Sequence, residues 1–239
     1  MIIRELLADK SNYTAVGART IEYLVIHFTA NDGDTAQGNC NYFRGANRGA
    51  SAHYFVDASE VWRSVRDEDR AWHCGDDVYY HPHCRNTNSI GIELCSRRDA
   101  AGNFYFTDET VALAVELVRA KMAEYDIPAE NVVRHYDVTH KICPAPFVAA
   151  GYSDNTGAFH KIGTEATAWA EFKAALTQNE QEDEDMAKFK TVKDAPEWAQ
   201  PTLQKLIDKK ALAGDGNGNI NVTETFCKTF VILDRLGKL

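Results

Sequence analysis

Short apolar runs alternate with segments of helical periodicity over the first 177 residues. The run IEYLVIHF at residues 21–28 is rich in β-branched and aromatic side chains, which predicts a buried strand. Similar runs predict strands at residues 52–57, 60–65 and 88–95, and a fifth short strand is predicted at residues 131–134, ended by His135. Strands that alternate with helices indicate a layered α/β fold.

Two helices are predicted between and after these strands. Thr107 has the features of a helix N-cap, because Asp108 and Glu109 follow it and apolar residues then recur at helical spacing up to about Tyr125. A second amphipathic helix is predicted from about residue 164 to residue 176. Both helices offer an apolar side that can cover the sheet.

The pattern changes after residue 177. Residues 178–187, QNEQEDEDMA, are almost wholly polar and acidic and cannot bury enough surface to fold. Beyond them, helical segments at about 197–211 and 223–236 flank the turn GDGNGN. We therefore predict a domain at residues 1–177, an acidic linker at 178–187 and a small helical module at 188–239.

Charge and hydropathy exclude several classes of partner. The net charge is −9, and the residues before Lys188 hold 17 basic against 29 acidic side chains, which disfavours nucleic-acid binding. No apolar run approaches the roughly 20 residues of a membrane helix. The N-terminus, MIIRELLADKSNY, lacks the apolar segment and cleavage site of a secretory signal. We expect synthesis and folding in a cytoplasm, with no nucleic-acid or membrane partner.

Six cysteines are spread along the chain. In a reducing cytosol they are expected to stay thiols, although a disulfide between Cys74 and Cys84 remains open. Cys143 differs from the others because it lies eight residues after His135 and is followed by Pro144. Together with His27, at the end of the first strand, these residues can supply two imidazoles and one thiolate.

Three such ligands would leave one tetrahedral position of a zinc ion open, as a catalytic zinc site requires. The alternative is a buried cysteine near two unrelated histidines, and spacing alone does not decide between them. Glu93, inside the apolar strand SIGIEL, needs a partner, a metal site or a solvent cleft. It fits a general base, with a buried ion pair as the alternative. Lys141 fits an oxyanion-stabilising cation or a solvated loop lysine.

Five sequence blocks carry a resemblance to a known family: VIHFTA, SAHYFVD, AWHCGD, NSIGIEL and RHYDVTHKICP. In this order they resemble the type-2 N-acetylmuramoyl-L-alanine amidases, which share a fold with the peptidoglycan recognition proteins. The resemblance covers about residues 18–176 and is strongest to endolysins of Bacillus and Clostridium phages. It implies a central mixed β-sheet flanked by helices.

The resemblance also implies the site residues. It implies zinc bound by His27, His135 and Cys143. Glu93 and Lys141 are implied to be catalytic, and His73, in AWHCGD, matches a position that lines the cleft, which implies a substrate contact. Some family members carry aspartate where Cys143 stands. A coliphage member uses a tyrosine at the position of Ala52, so that tyrosine's role does not transfer and the acid–base work falls to Glu93.

The function that the resemblance implies is hydrolysis of the amide between N-acetylmuramic acid and L-alanine in bacterial peptidoglycan. The expected setting is an endolysin held in the host cytoplasm until a holin releases it to the cell wall. The alternatives are a cytoplasmic amidase that recycles wall fragments and a peptidoglycan-binding protein without catalysis. A host autolysin would need an export route.

The C-terminal module loosely resembles one surface-layer-homology repeat and the tail of some prophage endolysins. Cell-wall attachment is one interpretation, and a small packing or dimerisation module is the other. An apolar stripe of Phe226, Phe230 and Leu233 on the last helix favours self-association. Met186, which follows an acidic run, is a candidate internal start that would produce the module alone.

Overall fold

The computed structural model describes residues 1–148, 152–153, 159–160, 165–177, 189–214 and 218–239. The chain divides into two compact units, Met1–Thr177 and Gln178–Leu239. The predicted acidic linker, with Met186 in it, lies outside the described residues. All six cysteines are buried free thiols, so Cys74 and Cys84 are not joined.

The strands that the structure describes are short, and all of them lie in the first unit. They are β1 (Ile3–Glu5), β2 (Tyr13–Thr14), β3 (Tyr23–Phe28), β4 (Tyr54–Val56), β5 (Val61–Arg63), β6 (Arg70–Ala71), β7 (Ser89–Leu94), β8 (Arg97–Arg98), β9 (Phe104–Tyr105), β10 (Val132–Arg134), β11 (Tyr152–Ser153) and β12 (Phe159–His160). Six of them form the central sheet, in the order β1-β5-β4-β7-β3-β10. The sheet is mixed, because β4 and β5 pair antiparallel while its other neighbours pair parallel.

The helices cover this sheet and build the second unit. They are α1 (Ala36–Phe43), α2 (Asp108–Tyr125), α3 (His135–Thr139), α4 (Glu165–Thr177), α5 (Gln200–Asp208) and α6 (Glu224–Arg235). The predicted cap of α2 is confirmed, since the side chain of Thr107 accepts a hydrogen bond from the backbone N–H of Thr110. The α/β class and the central mixed sheet flanked by helices are also confirmed.

The two faces of the sheet are used differently. Leu24, Ile26, Ile90 and Ile92 point to the face that packs against α2 and α4, and this is the largest apolar core. Side chains alternate along a strand, so the residues between them point to the opposite face. There Phe55 packs with residues of α1, while Val25 packs with the region of Cys74 and Cys84. The site described below lies on this second face.

Three local features differ from the predictions or were missed. Strand β1 was not predicted, because its three residues are exposed and carry no apolar pattern. Helix α1 was not predicted because AQGNCNYF contains glycine and asparagine; its N-terminus is held by Thr35 and by the Asp57 carboxylate, which accepts from the Ala36 N–H. His135 begins α3 rather than ending β10.

The second unit packs α5 against α6 around a small core, and an isolated bridge joins Phe189 to Val222. Leu203, Cys227 and Val231 are buried in it, whereas Trp198 and Ile232 are exposed. Among the described residues, no helix combines the length and apolar character needed to cross a membrane.

Candidate metal centre and active-site cleft

Strand register brings His27 and Glu93 side by side. Strands β3 and β7 run parallel, and His27 lies opposite Glu93 in their ladder. Their neighbours Ile26 and Ile92 point into the main core, so alternation directs both His27 and Glu93 to the other face. A shift of the strand register by one residue would instead direct both polar side chains into the main apolar core on the opposite face.

A tight loop after β10 supplies the other two candidate ligands. Asp137 accepts a hydrogen bond from the Arg134 N–H, which starts the short helix α3 at His135. His140 ends that helix in the left-handed conformation. The loop then returns, because the Tyr136 N–H donates to the Cys143 carbonyl at 2.8 Å. Cys143, followed by a cis bond to Pro144, therefore lies beside His135.

His27, His135 and Cys143 converge on one point. One ligand atom from each lies within 4.8 Å of the other two, and all three side chains are buried. The Cys143 Sγ atom is 3.6 Å from the His27 Nδ1 atom, and the rings of His27 and His135 are 4.8 Å apart. These three side chains could hold a metal ion, and all of them line the cleft described below.

Burial sets the protonation of these groups. It is the main cause that holds the pKa of His27 well below its usual value, and His135 adds to the effect. Burial and the charge of Lys141 lower the pKa of His135 to about 3. Burial and the charge of Glu93 raise the pKa of the Cys143 thiol. Both imidazoles are therefore neutral and able to bind a metal, while the thiol must lose its proton to do so.

Unpartnered polar atoms support the fit of a metal. In the part of the chain that the structure describes, four buried side-chain polar atoms lack a hydrogen-bond partner, and three of them line this site. They are His135 Nε2, Glu93 Oε2 and Asp34 Oδ1. Buried polar groups are rarely left unpaired, so their concentration here indicates that a ligand completes them. Two imidazoles and a thiol are the donor set that zinc prefers.

The candidate ligands lie at the base of a cleft of about 690 Å³. Its wall includes every site residue that the sequence predicted: His27, His73, Glu93, His135, Lys141 and Cys143. Other lining residues are Phe28, Thr29, Ala30, Asn31, Asp34, Gly38, Asn39, Tyr42, Phe43, Ala50, Ser51, Phe55 and Trp72. A cleft of this size lies within the range of pockets that bind small organic ligands.

Glu93 and Lys141 both line this cleft, and the positive charge of Lys141 affects the pKa of Glu93. Glu93 is partly buried, and burial, opposed by the positive charge of Lys141, raises its pKa to about 8. The side chain of Lys141 is exposed and lines the cleft. A carboxyl group that titrates near neutral pH can both accept and return a proton there.

His73 also lines the cleft, but the protein occupies both of its ring nitrogens. Nδ1 is 3.0 Å from His27 Nε2, and Nε2 is 3.2 Å from the Ser89 hydroxyl oxygen. The substrate contact expected of His73 stays a prediction.

The wall of the cleft near Asp34 was not predicted from the sequence. Asn31 and Asn39 both donate to Asp34 Oδ2, at 3.2 and 2.7 Å, while Asp34 Oδ1 has no partner among the described residues. The only signal was the polar run NDGDT at residues 31–35, shortly after the first predicted strand. Such runs are also typical of ordinary turns.

Comparisons with known proteins agree with this geometry. A family model described as N-acetylmuramoyl-L-alanine amidase matches residues 17–146. A probable N-acetylmuramoyl-L-alanine amidase of Bacillus licheniformis is 38% identical over 136 residues, which cover 54% of this chain and 37% of that protein. The chain thus spans well under two thirds of the length of this curated relative.

Two solved structures match over most of this chain. The catalytic domain of XlyA is 27% identical with a TM-score of 0.57, covering 74% of this chain and 99% of that one. A mutant endolysin from Bacillus subtilis is 27% identical with a TM-score of 0.56, covering 74% and 99%. The family match extends over more than half of the chain and contains the whole predicted ligand set. The chain therefore belongs to the N-acetylmuramoyl-L-alanine amidase family.

Proposed function

We propose that this protein is a zinc-dependent amidase that hydrolyses the bond between N-acetylmuramic acid and L-alanine in bacterial peptidoglycan. The convergence of His27, His135 and Cys143, with ligand atoms within 4.8 Å of one another, carries the proposal. Family membership and the cleft above these residues support it.

His27, His135 and Cys143 would hold the zinc ion. When bound, zinc supplies a Lewis acid and lowers the pKa of water at the site. The buried position of the three side chains keeps bulk water from competing with them. Neutral imidazoles are available without the loss of a proton, because burial lowers the pKa of both histidines.

Glu93 is the proposed general base. Its Oε2 atom has no partner among the described residues, and its pKa near 8 lets it take the proton of the attacking water and return it to the leaving amine of L-alanine. Lys141 is the proposed stabiliser of the oxyanion. Its exposed ammonium group lines the same cleft and can move to meet the developing charge.

Digestion of purified sacculi tests the reaction. We expect new amino groups on L-alanine and intact N-acetylmuramic acid ends, identified by mass spectrometry, together with about one zinc ion per chain. New reducing sugars would contradict the amidase assignment and indicate a glycosidase. Zinc without any cleavage would favour a peptidoglycan-binding protein instead.

We further propose that the enzyme is an endolysin that waits in the host cytoplasm for holin-mediated release. The similarity to the structure of a mutant endolysin from Bacillus subtilis supports this role. The alternative is a cytoplasmic enzyme that recycles wall fragments. Cleavage of intact sacculi faster than of soluble muropeptides, at equal bond concentration, is expected of an endolysin; the reverse preference would favour recycling.

The second unit is proposed to attach the enzyme to the wall, with self-association as the alternative. Its exposed Trp198, Ile232 and Leu236 offer apolar contacts for either role. Sedimentation with sacculi should be stronger for the full chain than for residues 1–177. Equal sedimentation, with a mass in solution above one chain, would favour self-association.

A further inference from the structure

We propose that His73 is a positioning residue that fixes the His27 ring for metal binding, rather than a substrate contact. The inference rests on the zinc site proposed above. Histidine ligands usually donate their second ring N–H to a fixed partner, which sets the tautomer and the ring orientation. The geometry around His73 identifies that partner for His27.

The two ring nitrogens of His27 point in different directions. Nδ1 faces Cys143 Sγ at 3.6 Å, and Nε2 faces His73 Nδ1 at 3.0 Å. A metal bound through Nδ1 requires the His27 proton to be on Nε2. Nε2 then donates a hydrogen bond, so His73 Nδ1 must accept it.

Ser89 selects the tautomer of His73 in which Nδ1 can accept the hydrogen bond from His27. The Ser89 hydroxyl lies 2.7 Å from the Arg85 carbonyl, and because a carbonyl only accepts, this hydroxyl proton is directed to Arg85. Its oxygen can therefore only accept from His73 Nε2, 3.2 Å away. The His73 proton is thus held on Nε2, and Nδ1 is left as the acceptor that His27 needs.

Gly91 provides the space in which the His73 ring sits. A Cβ atom at residue 91 would lie 2.5 Å from His73 Cγ and 2.7 Å from Nδ1. Real side chains do not approach this closely, so any other residue would displace the ring. The His73 backbone N–H also donates to Asn86 Oδ1 at 3.1 Å.

One face of β7 therefore supplies the residues that position His73 and the proposed base. Ser89, Gly91 and Glu93 alternate along that strand and share this face. Ser89 sets the His73 tautomer, Gly91 seats the ring, and Glu93 lies opposite His27. The sequence SIGIEL thus supplies the base and also the support for one of the ligands.

Zinc affinity and the His27 tautomer test the proposal in the full chain. Competition with a chromophoric chelator should show zinc bound about 10–100-fold more weakly by His73→Leu than by the native chain. His73→Asn, which keeps an acceptor near the Nδ1 position, should recover most of the affinity. The same change at the exposed His83, His83→Leu, is the matched control and should leave zinc affinity unchanged.

Nitrogen-15 spectra of histidine rings in the metal-free chain give a readout independent of zinc. We expect His27 as a single tautomer protonated at Nε2 in the native chain, and as a mixture in His73→Leu. If His73→Leu does not fold, the same two measurements are made on Gly91→Ala and Ser89→Ala. Gly91→Ala tests the space that holds the His73 ring, and Ser89→Ala tests the hydrogen bond that selects its tautomer.

Native zinc affinity in His73→Leu would overturn the inference, and a loss of activity alone would return His73 to a substrate contact. A His27 mixture in the native chain would also overturn it. A native chain that binds no zinc would instead refute the proposed metal dependence, while the tautomer measurement would still decide the role of His73.

Discussion

Two groups of buried polar side chains lie on opposite faces of the central sheet, and they differ in how well their atoms are paired. On the α2 face, Asp67 accepts from Tyr54 at 2.6 Å, from Lys121 at 2.6 Å and from Tyr125 at 2.9 Å. On the cleft face, polar atoms of Glu93, His135 and Asp34 have no partner among the described residues.

The difference separates a structural cluster from a functional one. The side chains of Asp67 and Lys121 are each 6% exposed, and their charges compensate each other inside the protein. Burial alone would lower the pKa of Lys121, but the hydrogen bonds to Asp67 and Glu124 raise it. The polar atoms in the cleft lack such compensation. Burying them without partners is unfavourable unless a ligand supplies the missing contacts. Both clusters contain buried polar groups, so pairing rather than burial distinguishes them.

The largest expected effect is on activity, from loss of a ligand. Cys143→Ser should lose zinc and reduce cleavage of sacculi to background, because a hydroxyl does not replace the thiolate at this site. Metal analysis and turnover check it. Cys227→Ser, in the second unit, is the control and should keep both. Full zinc content in Cys143→Ser would show that Cys143 belongs with the structural cysteines.

The next effect is on turnover alone. Glu93→Gln should lower kcat by about 10²–10⁴-fold while zinc content stays the same, because the amide cannot accept the proton of water. Steady-state cleavage and metal analysis separate the two quantities. Loss of zinc together with activity would make Glu93 a structural partner of the site instead of a base.

The paired cluster should respond in stability. Asp67→Ala removes the buried partner of Lys121, leaves it paired with the largely exposed Glu124, and should lower the free energy of unfolding by about 3–5 kcal/mol. Zinc affinity of the folded protein should be unchanged, since the cluster lies on the other face. Denaturant unfolding measures the loss, and adding Lys121→Met should recover much of it. A double variant no better than Asp67→Ala would contradict the account of an unpaired charge.

The smallest effect concerns the pH dependence of the metal-free chain. The folded chain holds the Glu93 proton up to a pKa of about 8, whereas the ordinary pKa of a glutamate carboxyl is 4.5. Unfolding therefore releases a proton between these pH values, and stability falls as the pH rises. We expect a loss of about 2 kcal/mol from pH 6 to pH 8, absent in Glu93→Gln. Equal slopes in both proteins would refute the raised pKa.

The sequence predicted the elements better than their limits. The apolar runs located β3, β4, β5, β7 and β10, because buried strands need continuous apolar side chains. It failed at α1, whose start depends on Thr35 and on Asp57, which is 21 residues away from Ala36 in the chain. It also did not predict that His135 begins helix α3, which a capping contact from the Arg134 N–H to the Asp137 carboxylate starts.

Residue types and their order determined which chemistry this chain can perform. Two histidines, a cysteine followed by proline, and a glutamate inside an apolar strand identified the candidate set, and the blocks around them identified the family. Tertiary structure alone decided that the three ligand atoms meet within 4.8 Å, because strand register and a returning loop join residues more than 100 positions apart. It also decided that Tyr54 donates a hydrogen bond to Asp67 and that His73 faces His27. The orientation of these rings depends on packing that no local sequence pattern encodes.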